Sequence, residues 1–247
     1  MSSDYYETSS ILAEYLFFHY GEASDYLPFS EGPQSALNFP LKIVEHGLAG
    51  LSLPPAARAM DLGCAVGRSS FELTRYCQEV VGIDYSSAFI QAAQNIQKQK
   101  ELTISVVEEV GTTKKVTVAL PSAVFPERVQ FYQGDALNLS LDYGEFDLLL
   151  AANLIDRLSD PTHFLKEIGR LIKKGGILIL TSPYTWIDSF TPVGKWLTQE
   201  NSNFQALQKI LEPQFDFQRK EDLPMLIREH RRKYQWTVTE LSVWVKK

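Results

Sequence analysis

Over the first fifty residues Ile11, Leu12, Tyr15, Leu16 and His19 recur at helical spacing. Gly21 ends that helix, Pro28, Gly32 and Pro33 mark a loop, and a second helix starts near Pro40 and carries Leu41, Val44 and Leu48. From about Leu51 the pattern changes to short apolar runs alternating with amphipathic stretches. The runs at 58–62, 80–83, 129–132, 146–150 and 177–180 read as strands of a buried parallel sheet. Helices are expected over about 69–76, then from a cap at Ser86 or Ser87 through Phe89, Ile90, Ala93 and Ile96, and over about 161–172 with a shorter one before it. Lys173-Lys174-Gly175-Gly176 reads as a helix stop followed by a turn.

Two segments break the alternation. Residues 102–120 hold two β-like runs around Gly111-Thr112-Thr113, an inserted hairpin. After a helical excursion over 186–211, the runs at 215–223 and 234–245 have no crossover helix between them, which predicts an antiparallel terminal pair on the parallel sheet. The expected architecture is a single α/β domain over 1–247: a helical cap over 1–50, a Rossmann-like core over 51–187 and a terminal part over 188–247.

The chain has 247 residues, 45% hydrophobic, enough for one sizeable core, and a net charge of −6. That charge argues against a nucleic-acid groove or an anionic membrane surface. The one dense basic run, 228–233, is short. The polar start, the lack of a spanning apolar run and only two cysteines, Cys64 and Cys77, lead to the expectation of a cytoplasmic protein without metal or disulfide framework.

The candidate chemistry sits at strand ends. Strand 58–62 closes on Asp61 and Leu62, then Gly63-Cys64-Ala65-Val66-Gly67 leads into a helix. Asp84 closes the next strand, seventeen residues after Gly67, the span expected for a carboxylate that holds a ribose diol. Tyr85 follows it. Gly134-Asp135-Ala136 follows the third strand, where a carboxylate can accept an adenine amino group, and Asn153 ends the fourth. A dinucleotide would bring a pyrophosphate against Asp61, whereas the cationic amino-acid end of S-adenosylmethionine is attracted to it. This constellation resembles the class I S-adenosylmethionine-dependent methyltransferases from about Leu51 onward, with Ala65 standing where that family often has a glycine. A base-flipping tetrad is missing after the fourth strand, where the chain reads Ala152-Asn153-Leu154-Ile155.

The flanks carry a narrower resemblance. Tyr6-Glu7-Thr8, Glu14-Tyr15-Leu16-Phe17-Phe18-His19-Tyr20-Gly21, Ala36-Leu37-Asn38-Phe39-Pro40, the run 152–158 and the run 226–236 are similar to the methyltransferase domain at the C-terminus of the ovothiol-forming 5-histidylcysteine sulfoxide synthase. The resemblance implies a stand-alone methyltransferase acting on the imidazole π nitrogen of 4-mercaptohistidine (5-thiohistidine), paired in function with a separate sulfoxide synthase. For such a substrate, Arg157 and Arg228 are candidate cations for its carboxylate, and Asp156 and Glu229 candidate anions for its ammonium. Asn153 faces the crevice, and His230 is a candidate orienting group or proton acceptor. Each has a plain structural alternative: Asp156–Arg157 as a helix-start carboxylate and a surface arginine, 228–230 as a solvated face. Tyr184 and Trp186 either wall the substrate ring or belong to the core. Tyr5, Tyr6, Tyr20 and Asn38 belong to the cap. Cys64 contributes its backbone. Other small-molecule methyl acceptors, or a non-catalytic scaffold with the same fold, are the competing readings.

Overall fold

The computed structural model describes residues 6–139, 141–198 and 200–247. Tyr5, named with the cap, lies outside them. Nine strands and seven α-helices are present among the described residues: α1 (Ser9–Tyr20), α2 (Ala23–Tyr26), α3 (Phe39–Leu48), β1 (Arg58–Leu62), α4 (Arg68–Leu73), β2 (Glu79–Asp84), α5 (Ser87–Gln99), β3 (Glu101–Glu109), β4 (Thr112–Ala119), β5 (Val129–Gln133), β6 (Phe146–Ala152), α6 (Pro161–Glu167), β7 (Ile172–Ser182), α7 (Asn203–Leu211), β8 (Phe215–His230) and β9 (Lys233–Lys246). The seven-stranded sheet has the order β5-β2-β1-β6-β7-β9-β8, with β3 and β4 forming a separate two-stranded sheet. The pairs through β7 are parallel, and β7–β9 and β8–β9 are antiparallel. The order reverses between β1 and β6, the place where an open α/β sheet forms its ligand crevice.

The period-two pattern builds three layers. On β6, Leu148 and Leu150 pack under the cap and α3 to α5, while Leu149 and Ala151 face α6 and α7, joined there by Phe146 across a register shift before Leu148. All five are fully buried, as expected for central parallel strands. Four helix starts are capped by side chains: Thr8 caps α1, Ser86 caps α5, Asp160 caps α6 and Ser202 caps α7.

Four expectations need correction. The segment Lys173–Gly176 is not a helix stop and turn but part of β7, with Gly175 at φ 77° and the β6–β7 register shifting beside it. Lys173 is held there because its Nζ reaches Asp147 at 2.9 and 3.0 Å. The helix expected over 161–172 is α6 followed by a 3-10 turn, Ile168–Leu171. The excursion over 186–211 is mostly irregular before α7. Finally, Arg228, Glu229 and His230 are not in a loop: β8 continues to His230, and the connection to β9 is only Arg231-Arg232. A bulge between Arg228 and His230 keeps the pairing despite the charge run.

The inserted hairpin explains that continuation. It packs on α1 and β8, and the Arg231 N–H donates to the Glu108 carbonyl at 3.2 Å. Arg228, only 5% exposed, places Nη2 2.7 Å from Glu108 Oε2 and lies over the Phe17 ring. Glu108→Ala leaves this buried guanidinium without its counter-ion. The expected loss is about 2–4 kcal/mol, read as a lower denaturation midpoint, with hydrogen exchange rising first in β3 and β4.

Candidate active site

The glycine corner is a run of left-handed residues. Gly63, Ala65 and Gly67 have φ of 72°, 47° and 86°. Alternating such residues turns backbone N–H groups to one side of the loop. Alanine at position 65 is held in this conformation because its N–H donates to Asp84 Oδ2 at 2.8 Å; the Ser86 N–H donates to Asp84 Oδ1 at 2.9 Å. Asp84 thus fixes the glycine loop and the start of α5 together. The Gly63 and Cys64 N–H groups both donate to the Ile83 carbonyl. The Gly134 N–H donates to the Asp84 carbonyl, so the third corner hangs on the second. Asp135 is exposed, and its Oδ1 accepts from the Leu137 N–H at 2.9 Å; Ala136 is half-buried and Tyr85 is exposed.

Asp61 is buried and accepts a 2.6 Å hydrogen bond from Ser70 Oγ, with no ion-pair partner among the described residues. Burial, and then Asp84, push its carboxyl up to about 7. Burial likewise raises Asp84 to about 6. A buried carboxylate lacking a cation fits a positively charged ligand and disfavours a phosphate. Cys64 and Cys77 are free and buried, their thiols pushed up by burial, so neither is poised for chemistry.

The cap closes over these corners. The Tyr20 hydroxyl donates to the Val66 carbonyl at 2.7 Å. The Glu7 carboxylate accepts from the N–H groups of Ser87 and Ala88 at the start of α5. Between these anchors Tyr6, Tyr15, Phe89 and Phe190 form an aromatic cluster, with Tyr15 and Phe89 centroids 4.8 Å apart. Asn38 is exposed, with φ 58°, and lines a shallow cavity of about 250 Å³ with Phe18, Tyr26, Leu37 and Leu226.

At the end of β6, Asn153 adopts φ 49°. Its N–H donates to Thr181, its Oδ1 accepts from Thr181 Oγ1 at 2.8 Å, and its Nδ2 lies 3.3 Å from Met225 Sδ. Asp156 is fully buried, and burial raises its carboxyl. Its Oδ2 accepts from Arg157 and from the Thr185 N–H, whereas Oδ1 has no partner. Arg157 is committed to Asp156 and the Thr185 carbonyl. Arg228 is paired with Glu108 but keeps a buried Nε without a partner. Tyr184 donates to Glu240, Trp186 to Asn203, and Glu229 accepts from Lys233 and Gln235; His230 Nδ1 accepts from the Arg232 N–H. Asn153, Asp156 and Arg157 thus sit beyond the end of β6, tied to Thr181 and Thr185, while Trp186, Glu229 and His230 are engaged by other side chains and backbone.

Sequence reasoning missed Glu7, Glu14, Tyr15 and His19. The Tyr15–His19 spacing on a cap helix was the available signal. Glu14 is half-buried with Glu229 nearby, and burial first, then Glu229, push it up to about 7.

These shifts set a pH dependence. Asp61, Asp84 and Glu14 have folded values above their unfolded ones, so they stabilise the fold at low pH and the contribution is lost as pH rises to about 7. His19, depressed to about 3 by burial, acts oppositely, gaining stability from about 3 to 6.5. Three groups outweigh one, so the ligand-free protein loses melting temperature between pH 5 and 7. Calorimetric scans over that range check it, and Asp61→Asn shallows the slope.

The sheet order, the glycine corner and the strand-end carboxylates define the class I methyltransferase fold. A family model described as "Methyltransferase domain" matches residues 60–180. A relative named 2-methyl-6-phytyl-1,4-hydroquinone methyltransferase, from Synechocystis sp., is 27% identical over 236 residues, covering 92% of this chain and 63% of its own length. The chain spans less than two thirds of the length of the first curated relatives it matches. Magnesium protoporphyrin IX methyltransferase from Synechocystis PCC 6803, solved with S-adenosylhomocysteine, aligns with a TM-score of 0.58 at 15% identity, covering 99% of this chain and 98% of that one. The cyclase SpnF aligns at 0.61 and 15% identity, covering 100% and 97%. At such identity a likeness establishes fold alone. Residues 60–180 thus match a methyltransferase-domain family, and the chain has the Rossmann-like fold of the class I S-adenosylmethionine-dependent methyltransferases. No helix among the described residues is long and apolar enough to cross a membrane.

Proposed function

We propose that the protein methylates the imidazole π nitrogen of 4-mercaptohistidine to give ovothiol A, acting downstream of a separate sulfoxide synthase. One observation carries the reading: the sequence blocks that resemble the ovothiol domain, far apart in the chain, meet in space. Arg228 of block 226–236 lies over Phe17 of block 14–21, Tyr26 of α2 accepts from the Arg228 N–H, and Met225, just before block 226–236, lies 3.3 Å from Asn153 of block 152–158. Phe190 bridges Arg157 to Tyr6. The flanks thus wall the strand-end crevice, where specificity resides in this fold.

Bound S-adenosylmethionine supplies an electrophilic methyl group on a sulfonium. Asp61, Gly63, Cys64, Ala65, Gly67, Asp84, Tyr85, Gly134, Asp135 and Ala136 would hold it. The substrate nitrogen attacks with its lone pair; the N–CH3 bond forms as S–CH3 breaks, S-adenosylhomocysteine leaves, and the ring thiolate offsets the ring's new positive charge. No strong base is required, so the chain's task is alignment and exclusion of water. Asp156 Oδ1 accepts the substrate ammonium, Arg228 Nε meets the carboxylate, and Asn153 orients the ring between Tyr20, Asn38 and Tyr184. Retention of all the cofactor corners disfavours the scaffold reading.

The test is a kinetic panel of 4-mercaptohistidine, its C2-thiol isomer and histidine. The expected kcat/KM for the first exceeds the others by at least about a hundredfold, the discrimination a site gains by pairing a polar group. Equal turnover of all three, or of none, overturns the proposal.

A further inference from the structure

The cap contains a buried imidazole that neither the fold nor the chemistry above uses. His19 is 9% exposed, and its Nδ1 has no hydrogen-bond partner. Its ring centroid lies 5.3 Å from Phe18 and 6.1 Å from both Tyr15 and Tyr20. Packing alone would favour leucine or phenylalanine there, because an unsatisfied buried nitrogen costs stability.

Its position relative to the glycine loop is fixed from two directions. Tyr20, the next residue, hydrogen-bonds the Val66 carbonyl inside the loop, and Arg68, directly after Gly67, donates Nη1 to the His19 carbonyl at 2.8 Å. The Arg68 Nε is held by buried Glu72, and its Nη2 makes no hydrogen bond among the described residues. Arg68 and Asp61 both lie within electrostatic reach of Tyr20. The methionyl end of the cofactor is a zwitterion. Asp61 answers its positive charges, and its carboxylate needs hydrogen-bond donors of its own. Burial and Arg68 keep the imidazole neutral by pushing it down to about 3, so it offers an N–H.

We propose that His19, with Arg68, binds the carboxylate of the methionyl end of S-adenosylmethionine, so that cofactor recognition is completed by the cap. This rests on the cofactor and not on the identity of the methyl acceptor.

Calorimetric affinities for three probes test it: S-adenosylmethionine, decarboxylated S-adenosylmethionine, and 5′-methylthioadenosine, which lacks the amino-acid end. The wild-type protein prefers S-adenosylmethionine over its decarboxylated form. His19→Ala weakens S-adenosylmethionine about ten- to a hundredfold, the range of one charge-assisted hydrogen bond, and the preference collapses. Binding of 5′-methylthioadenosine stays within twofold, and His19→Gln, which retains an N–H donor, restores part of the preference. A variant that weakens all three probes alike, or one that keeps the wild-type preference, overturns the proposal and makes His19 a packing residue. A wild-type protein that binds none of the probes overturns it along with the cofactor assignment.

Discussion

Asp84→Ala abolishes cofactor binding at ordinary ligand concentrations. The side chain accepts the Ala65 and Ser86 N–H groups through different oxygens, and it ends β2 where this fold presents a carboxylate to the ribose. Its removal takes away the proposed ribose contact and frees the left-handed Ala65, whose φ of 47° is otherwise unfavourable. Losing two charge-assisted hydrogen bonds predicts roughly 3 kcal/mol or more, above a hundredfold in affinity. Burial already disfavours the charged carboxylate, so the variant remains folded at neutral pH. Titration with S-adenosylhomocysteine reads the affinity and circular dichroism the fold; a loss of less than about tenfold with the fold intact contradicts the role.

The second large effect is on stability. Gly67 sits at φ 86°, and a Cβ there would lie 2.6 Å from Phe131 Cζ and 3.1 Å from the Ala93 Cβ. Phe131 is 5% exposed and edge-on to Phe71 at 5.3 Å, so the ring has nowhere to go. Gly67→Val combines backbone strain with overpacking, about 3–5 kcal/mol together. Gly111 has nearly the same φ, 83°, but open space around it. Gly111→Ala costs about 1 kcal/mol, isolating the backbone part. Denaturant midpoints of the two variants separate the contributions.

The geometry of the strand-end corners was legible in the sequence because each depends on local rules. Gly63 and Gly67 are forced by positive φ, Asp61 and Asp84 by their place at strand ends, and Ser86 by the cap geometry of α5. The inserted hairpin was legible from alternation, since β3 and β4 each bury one face. The terminal strands were only half legible. The charge run 228–233 resembles a loop, and its strand state is imposed by Glu108, 120 residues away in sequence from Arg228. Gly175 and Gly176 likewise read as a turn because the Lys173–Asp147 pair that holds them in β7 is not a sequence pattern. The surroundings of the other candidates were less legible: Asp156 and Arg157 were named, but their engagement by Thr185 arises only when the ends of β6 and β7 come together, and His19 is buried only once α1 packs beside Arg68.

The central claim is a methyl transfer to one ring nitrogen of a thiohistidine. The most direct measurement incubates the 247-residue chain with 13C-methyl-labelled S-adenosylmethionine and 4-mercaptohistidine, then locates the label by mass spectrometry and NMR. A single labelled methyl on the π nitrogen, with stoichiometric S-adenosylhomocysteine, is the predicted result. Label on the sulfur, or no product from a protein that binds S-adenosylmethionine, would contradict it.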